Sequence, residues 1–291
     1  MARIQGFQRW LTATTVISPT GDYRHRVLAE NALEWTAIQP HIKRYFRKAH
    51  ADAVKHLRKM AGVSLHPLKK RDPAVDPTRH YPHGLDPTTL KGYFGEVLAY
   101  AIVECMGAAG YSDWDVPAYL FRFHTVAFQC LEASRLSGNP PGPIPGRTGD
   151  DSLGFRRAPN GEIVAYAYCE AKCSSAHDST LIADAHRKVN GPGPVDILNL
   201  IAILSESGSE ESRAWVRALR TFREKLTTGT VNRIDFICYV CGQHPLLKET
   251  WIPSKVPHSE YRPAGRTLDA VEIHLTDVEA KIREVYSSEG W

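Results

Sequence analysis

The 291-residue sequence contains no hydrophobic run long enough to cross a bilayer; the longest apolar stretches, such as Ile197 to Leu204, suit buried helices. Its first residues carry neither a hydrophobic signal core nor a small-residue cleavage site. We therefore expect a cytoplasmic protein with no membrane partner. The sequence also lacks a GxSxG elbow, an HExxH zinc motif and a GxGxxG dinucleotide motif, which argues against the enzyme classes that those motifs mark.

The six cysteines form no convincing zinc or disulfide pattern. Cys238 and Cys241 are spaced as a CxxC, but the segment Ile234 to Val240 has the composition of a buried strand. Residues three apart on a strand point to opposite faces, so these two thiols are poorly placed to share one metal. We expect buried structural thiols.

The net charge is only +4, but the basic residues concentrate in the first third of the chain. Lys43, Arg44, Arg47 and Lys48 form the densest group, and clustering of this kind suits phosphate binding. A solvated helix face followed by a charged linker explains the same pattern. Both interpretations remain open from charge alone.

The periodicity divides the chain into two regions. Residues 1–85 are a basic and mainly helical N-terminal region that begins with a short strand-like stretch and ends in a linker, and residues 86–291 are the second region. Asp86 and Pro87 are good start signals for a helix that ends at Gly107. Aromatic and β-branched residues predict a strand from Tyr119 to Phe128.

The second region has the element order of an α/β domain. Asp151 to Arg157 and Glu162 to Lys172 predict two strands joined by a turn at Asn160-Gly161. A short helix over Asp178 to Val189, a helical stretch reaching Leu226, and strands at 233–240 and 270–275 follow. Thr276 to Glu279 has a capping-box pattern for a final helix. We predict an α/β fold in which a mixed central sheet is flanked by helices, with a helical N-terminal appendage.

The hairpin brings together groups that suit phosphodiester hydrolysis. Glu170 and Lys172 are two apart on one strand, so their side chains share a face. Counting outward from the turn places Asp151 within about one residue of Glu170, so that both carboxylates could hold Mg²⁺ or Mn²⁺. Asp150 is the alternative ligand, since only strand alternation favours Asp151. Glu96, on the earlier helix, could complete the site, and Gly95 would let that helix approach the sheet closely.

These segments, GYFGEVL, TGDDSLGF and YCEAK, resemble the PD-(D/E)XK nuclease superfamily over roughly residues 91–189. The resemblance implies a restriction-endonuclease-like core in which Asp151 and Glu170 bind metal, Lys172 assists the attacking water and Glu96 completes the site. It also implies a polar residue from the following helix, for which His186 and Lys188 are candidates, with Lys188 able to contact nucleic acid.

Within the superfamily, the chain is similar to the nuclease-like subunit of the Hachiman anti-phage defence system. That similarity lies in the early Gly-Glu helix, the aromatic segment LFRFHTVAF and the GDD and EAK strands. It implies a DNA endonuclease in antiviral defence and a helicase partner, because the sequence has no phosphate-binding loop of its own. Nucleases of this type often pair, so a homodimer is a further expectation.

Two other interpretations compete with a nuclease. In the first, the chain is a nucleic-acid-binding or regulatory subunit whose nuclease-like site is silent. In the second, it is a structural subunit in which Asp151 and Lys172 merely form an ion pair. Each candidate residue also has an ordinary explanation, as a surface ion pair, a loop end or an exposed helix position. Only their joint pattern favours catalysis.

Overall fold

The computed structural model describes residues 3–60, 76–124, 126, 128–130, 133, 153–191, 196–246 and 249–287. Its strands are β1 (Leu11–Ile17), β2 (Tyr23–Glu30), β3 (Trp114–Asp115), β4 (Gly154–Arg157), β5 (Ile163–Ser174), β6 (Asn232–Cys241) and β7 (Thr267–His274). Its helices are α1 (Phe7–Trp10), α2 (Trp35–Met60), α3 (Pro87–Met106), α4 (Ser179–Lys188), α5 (Ile197–Ser207), α6 (Glu210–Thr228) and α7 (Val278–Val285). None of these described helices combines the length and apolar character that a membrane crossing needs.

The described strands form one mixed sheet in the order β1-β2-β7-β6-β5-β4-β3. β2, β7, β6 and β5 are parallel neighbours, whereas β1, β4 and β3 pair antiparallel at the two edges. Parallel strands are covered on both faces and therefore read as nearly continuous apolar runs, and residues 234–241 of β6 are all buried. The predicted α/β fold, with a mixed sheet flanked by helices, is confirmed.

Different helices cover the two faces of the sheet. On one side, here called the α3 face, helices α2, α3 and α7 share a core with Cys238 of β6. On the other side, the α4 face, Ile182 of α4 packs in one cluster with Cys241, and Phe222 of α6 contacts Tyr166 of β5. Cys238 and Cys241 therefore point to opposite faces, as their spacing on a strand predicted.

The N-terminal region contributes more to the sheet than its composition predicted. The prediction was a mainly helical segment after one short strand-like stretch, yet two strands, β1 and β2, form a hairpin in which β2 lies parallel to β7 over Tyr23–Ala29. β2 was overlooked because it buries His25 and Arg26, whose partners Glu272 and Asp269 are on β7. The sheet thus extends across the predicted division at residues 85 and 86.

The predicted strand from Tyr119 to Phe128 is wrong. A short 3-10 helix occupies Phe121–Phe123, and residues 126 and 128–130 are helical. The aromatic side chains here fill a core instead of a sheet: Phe121 stacks on His50 at a ring distance of 4.5 Å, and Phe128 contacts Tyr81. A high density of aromatic residues indicates that a segment is buried, and a buried segment can be either a strand or irregular.

The two helix-start predictions had different outcomes. Asp86 caps α3 as predicted, because its side chain accepts from the backbone N–H groups of Thr88 and Thr89. For α7 the cap is Asp277, whose Oδ1 lies 3.0 Å from the backbone nitrogen of Ala280. Glu279 does not complete a capping box, since its carboxylate accepts instead from Ser175 and Lys91.

Candidate active site

The β4–β5 hairpin has the predicted turn. Gly161 adopts a φ of +85°, a conformation that glycine reaches without strain, and its N–H donates to the Ala158 carbonyl at 2.8 Å. Beyond the turn, Gly154 lies opposite Ala167. Asp150 and Asp151 lie outside the described residues, so their pairing with Glu170 stays a prediction.

Glu170 and Lys172 project together from β5 onto the α4 face. The Lys172 ammonium lies 2.8 Å from Glu170 Oε1, and both side chains are largely buried, with 15% of Lys172 and 24% of Glu170 exposed. Their position is near the carboxyl end of a central parallel strand, where open α/β sheets commonly bind ligands. The structure thus unites two of the predicted site residues.

A carboxylate that was not among the predicted site residues completes this group. Asp184 of α4 places Oδ2 2.9 Å from the Lys172 ammonium. Lys188, one helical turn later, lies 3.4 Å from Glu170 and 3.5 Å from Asp184. Asp184 and Lys188 are four residues apart on the helix that directly follows the Glu-x-Lys strand, and that spacing was the signal available in the sequence. We call Glu170, Lys172, Asp184 and Lys188 the β5–α4 cluster.

The β5–α4 cluster is balanced in formal charge, with two carboxylates and two ammonium groups. Burial opposes the charge on Lys172, but the Glu170 charge and the hydrogen bonds to Asp184 and Glu170 outweigh it and raise the pKa of Lys172. Burial likewise works to raise the pKa of Asp184, but the hydrogen bond and charge of Lys172, with the charge of Lys188, lower it overall. Lys172 is therefore a firmly held cation in this arrangement.

His186, an alternative candidate on α4, lies away from this cluster. Its ring is fully buried, its Nδ1 contacts the Ile182 carbonyl at 2.7 Å, and its ring centroid is 5.0 Å from that of His258. Burial lowers the pKa of His186 to about 4, so the ring is neutral at physiological pH. Of the two candidates on α4, only Lys188 contacts Glu170.

Glu96 belongs to α3, which covers the opposite face of the sheet from Glu170 and Lys172. Gly95 of this helix lies close to β5, over Cys173. Burial raises the pKa of Tyr286, and the charges of Tyr81 and Glu96 add to that rise, so the Glu96 carboxylate is near Tyr286 on the α3 face. A role for Glu96 in the same site as Glu170 stays a prediction.

The close approach at Gly95 can be tested by substitution. A Cβ atom on Gly95 would lie 3.0 Å from Cys173 Cβ, whereas one on Gly92 of the same helix would meet no atom within 4 Å. Gly95→Val is expected to lower the free energy of unfolding by about 1–3 kcal/mol through overpacking. Gly92→Val is the matched control and should change it by less than about 0.5 kcal/mol. Equal urea midpoints for the two variants would contradict a tight helix–sheet contact.

The basic N-terminal cluster also lies on the α3 face. Arg44 and Lys48 are exposed on α2, Arg47 is half-buried, and the Lys43 ammonium donates to Ser287 Oγ at 2.6 Å. Helix α2 packs its Phe46 ring against Phe94 of α3, at 5.3 Å. Lys48 also lines a cavity with Leu204 of α5 and Trp215 of α6, so this predicted nucleic-acid surface reaches helices of the α4 face.

The β5–α4 cluster offers some, but not all, of the oxygen ligands that a hard cation needs. Glu170 and Asp184 converge on one ammonium from two elements, and carboxylate oxygens are the ligands that Mg²⁺ and Mn²⁺ prefer. Within the described ranges, no three His, Cys, Asp or Glu side chains are grouped closely enough to hold a metal ion. A third acid would have to come from elsewhere, and Asp151 or Asp150 is the predicted source.

Comparison with known proteins adds no family assignment, since no family model and no curated protein matches the chain.

Proposed function

We propose that the chain is a divalent-metal-dependent DNA endonuclease of the PD-(D/E)XK type, acting in the cytoplasm as the effector of a bacterial anti-phage defence system with a helicase partner. The observation that carries the proposal is the convergence of Glu170 and Asp184 on Lys172 near the carboxyl end of β5. Two carboxylates around one lysine, on a strand and the helix after it, form a compact site for phosphate chemistry.

The groups of this cluster match the steps of phosphodiester hydrolysis. A water oxygen bonds to phosphorus, the bond to one ester oxygen breaks, and that oxygen takes up a proton. Bound Mg²⁺ or Mn²⁺ would act as a Lewis acid that stabilises the charge on the phosphate. Glu170 and Asp184, with the predicted Asp151, would hold the cation. Lys172, as a cation, would neutralise charge that develops on the phosphate oxygens.

The charge balance supports the need for one more acid. Lys172 and Lys188 already neutralise Glu170 and Asp184, so a divalent cation would give this group an excess positive charge. A further carboxylate from Asp151, or from Asp150, offsets part of that excess. This is a reason, independent of any motif, to expect one more carboxylate at this site.

DNA cleavage in the presence of Mn²⁺ tests the proposal. The purified chain, alone and with any helicase that co-purifies with it, is incubated with supercoiled plasmid DNA. We expect nicked or linear product that EDTA prevents, and a loss of about 10²-fold or more in Glu170→Gln. Glu162→Gln, which alters an exposed glutamate just before the same hairpin strand, should cleave like the wild type. Intact DNA under all these conditions would overturn the proposal.

A second candidate function keeps the site but makes it silent. Lys172 lies between the two carboxylates where a cation would otherwise bind, and this favours a nucleic-acid-binding or regulatory subunit that needs a signal before it binds metal. Calorimetric titration with Mn²⁺ separates the candidates. Heat of binding that disappears in Glu170→Gln supports the nuclease, whereas its absence in the wild type favours the silent site.

A further inference from the structure

Helix α6 carries a row of exposed arginines on its solvent side. Arg213, Arg217 and Arg220 are four and three residues apart, so they share one helix face. Trp215, Leu219 and Phe222 form the opposite, buried face. We call the three arginines the α6 ridge. Seven residues of helix extend about 10 Å, and one strand of duplex DNA presents a phosphate about every 3.4 Å of its axis, so the ridge spans about three phosphates.

The guanidinium groups of the α6 ridge are available to a ligand. Within the part of the chain that the structure describes, Arg217 and Arg220 make no ion pair, and Arg213 donates only to the Gly208 carbonyl. By contrast, Arg156 and Arg157 on β4 are each bound to an aspartate, at 2.6 and 3.2 Å. Arginines that form no ion pair on an exposed face attract an anionic partner, although Glu224 follows Arg220 by one helical turn on the same face.

The α6 ridge lies on the same side of the sheet as the β5–α4 cluster. Phe222 of α6 contacts Tyr166 of β5 at a ring distance of 5.3 Å, and Tyr166, Glu170 and Lys172 alternate onto one face of that strand. Tyr168, on the same face, packs against two apolar clusters, one that includes Phe222 of α6 and one that includes Ile182 of α4. Lys48 and Lys55 of α2 line one cavity together with Trp215 of α6, so the two basic surfaces adjoin each other.

We propose that Arg213, Arg217 and Arg220 bind the sugar-phosphate backbone of the DNA that reaches Glu170 and Lys172. The inference rests on the proposed function for its substrate. A guanidinium group presents planar paired donors that match phosphate oxygens, and three in a row track a backbone without reading its sequence. The competing occupant is an acidic surface of a partner protein. DNA affinity that does not depend on the three arginines would favour that occupant.

The test measures DNA binding without cleavage. Fluorescence anisotropy follows a short labelled duplex in EDTA at several KCl concentrations, so that metal-dependent chemistry does not contribute. The triple variant Arg213→Gln, Arg217→Gln, Arg220→Gln is expected to bind about 10²-fold more weakly near 0.1 M salt, and its plot of log affinity against log salt should be shallower by about 2–3. Thermal unfolding should match the wild type, because all three side chains are exposed.

The matched control removes the same charge from the α3 face. Arg9→Gln, Arg44→Gln, Arg283→Gln alters three exposed cations on α1, α2 and α7 and should leave affinity and salt slope within about twofold of the wild type. A ridge variant that binds like the wild type, or a control that loses as much, overturns the inference. Ridge-dependent binding without any Mn²⁺ cleavage would instead keep the inference and remove the nuclease proposal.

Discussion

Lys172→Met is expected to slow Mn²⁺-dependent DNA cleavage by about 10²- to 10³-fold, the usual consequence of removing one group that stabilises transition-state charge. The reason is the position of the ammonium, 2.8 Å from Glu170 and 2.9 Å from Asp184. Methionine has similar length but no charge, so Lys188, at 3.4 and 3.5 Å, would be the cation left beside these carboxylates. Initial rates on plasmid DNA measure the effect.

A lysine in a nuclease site can act as a cation or as a base, and the pKa distinguishes these roles. Burial alone would lower the pKa of Lys172, but the interactions with Glu170 and Asp184 raise it by a larger amount. The side chain therefore stays protonated well above neutral pH. We therefore expect Lys172→Arg to retain more activity than Lys172→Met, and no rise in rate between pH 8 and 10 from deprotonation of this lysine. An inactive Lys172→Arg with such a rise would indicate a general base instead.

The control for Lys172 is Lys225→Met. Lys225 forms a similar ion pair with Glu162, at 3.1 Å, but the pair is at the other end of the hairpin strand and much more exposed. Its removal should leave the cleavage rate within about twofold, because exposed ion pairs contribute little. If both lysine variants lose activity equally, the loss reflects the stability of the hairpin and not chemistry at Lys172.

Local signals in the sequence were sufficient for the hairpin. The Asn160-Gly161 turn fixes both the direction of the chain and the register, and a glycine with positive φ is what such a turn requires. Asp86 and Gly107 similarly bound α3, since a cap depends on a few neighbouring residues. The pairing of Glu170 with Lys172 followed from strand periodicity alone.

Contacts between distant segments could not be read in the same way. Strand β2 is buried with a polar pattern because Arg26 meets Asp269 at 2.9 Å, 243 residues away. Asp184 reaches Lys172 only because α4 folds back over β5. In both cases a charged residue that looks solvent-exposed in the sequence is satisfied by a partner that only the fold supplies.

The basic residues of α6 were also not predicted, because their exposure depends on the fold. Clustering along the chain led to the prediction that the N-terminal group at Lys43 to Lys48 binds phosphate. The arginines of the α6 ridge are spread over eight residues and interleaved with apolar ones. Only the buried positions of Trp215, Leu219 and Phe222 reveal which face of α6 is left to solvent. Which side of the sheet each group occupies depends on strand order, which the sequence did not determine.

Glu272→Ala is expected to lower the free energy of unfolding by about 3–5 kcal/mol, as is usual when one member of a buried charged network is removed. The Glu272 carboxylate is fully buried on β7. It lies 3.0 Å from His25 Nε2 and 3.0 Å from His274 Nε2, and it also accepts from the backbone N–H groups of Trp251 and Ile252. Alanine would leave these buried groups without an acceptor.

Glu162→Ala is the matched control on the surface. Its carboxylate pairs with Lys225 and is 48% exposed, so its loss should change the free energy of unfolding by no more than about 1 kcal/mol. Urea unfolding at pH 7 gives both values. Equal losses in the two variants would show that the Glu272 network does not hold β2, β7 and the 251–252 segment together.

The pH dependence of stability gives an independent test of the same network. Burial acts to raise the pKa of Glu272, but hydrogen bonds from His25, His274 and two backbone N–H groups lower it from 4.5 to about 2. A carboxyl group whose pKa is lower in the folded than in the unfolded protein stabilises the fold at pH values above its unfolded pKa. That stability is lost as the pH falls through the folded pKa. This difference corresponds to about 3 kcal/mol between pH 5 and pH 2. Glu272→Gln cannot titrate there, so its unfolding free energy should fall less steeply over that interval; parallel curves for the two proteins would contradict the assignment.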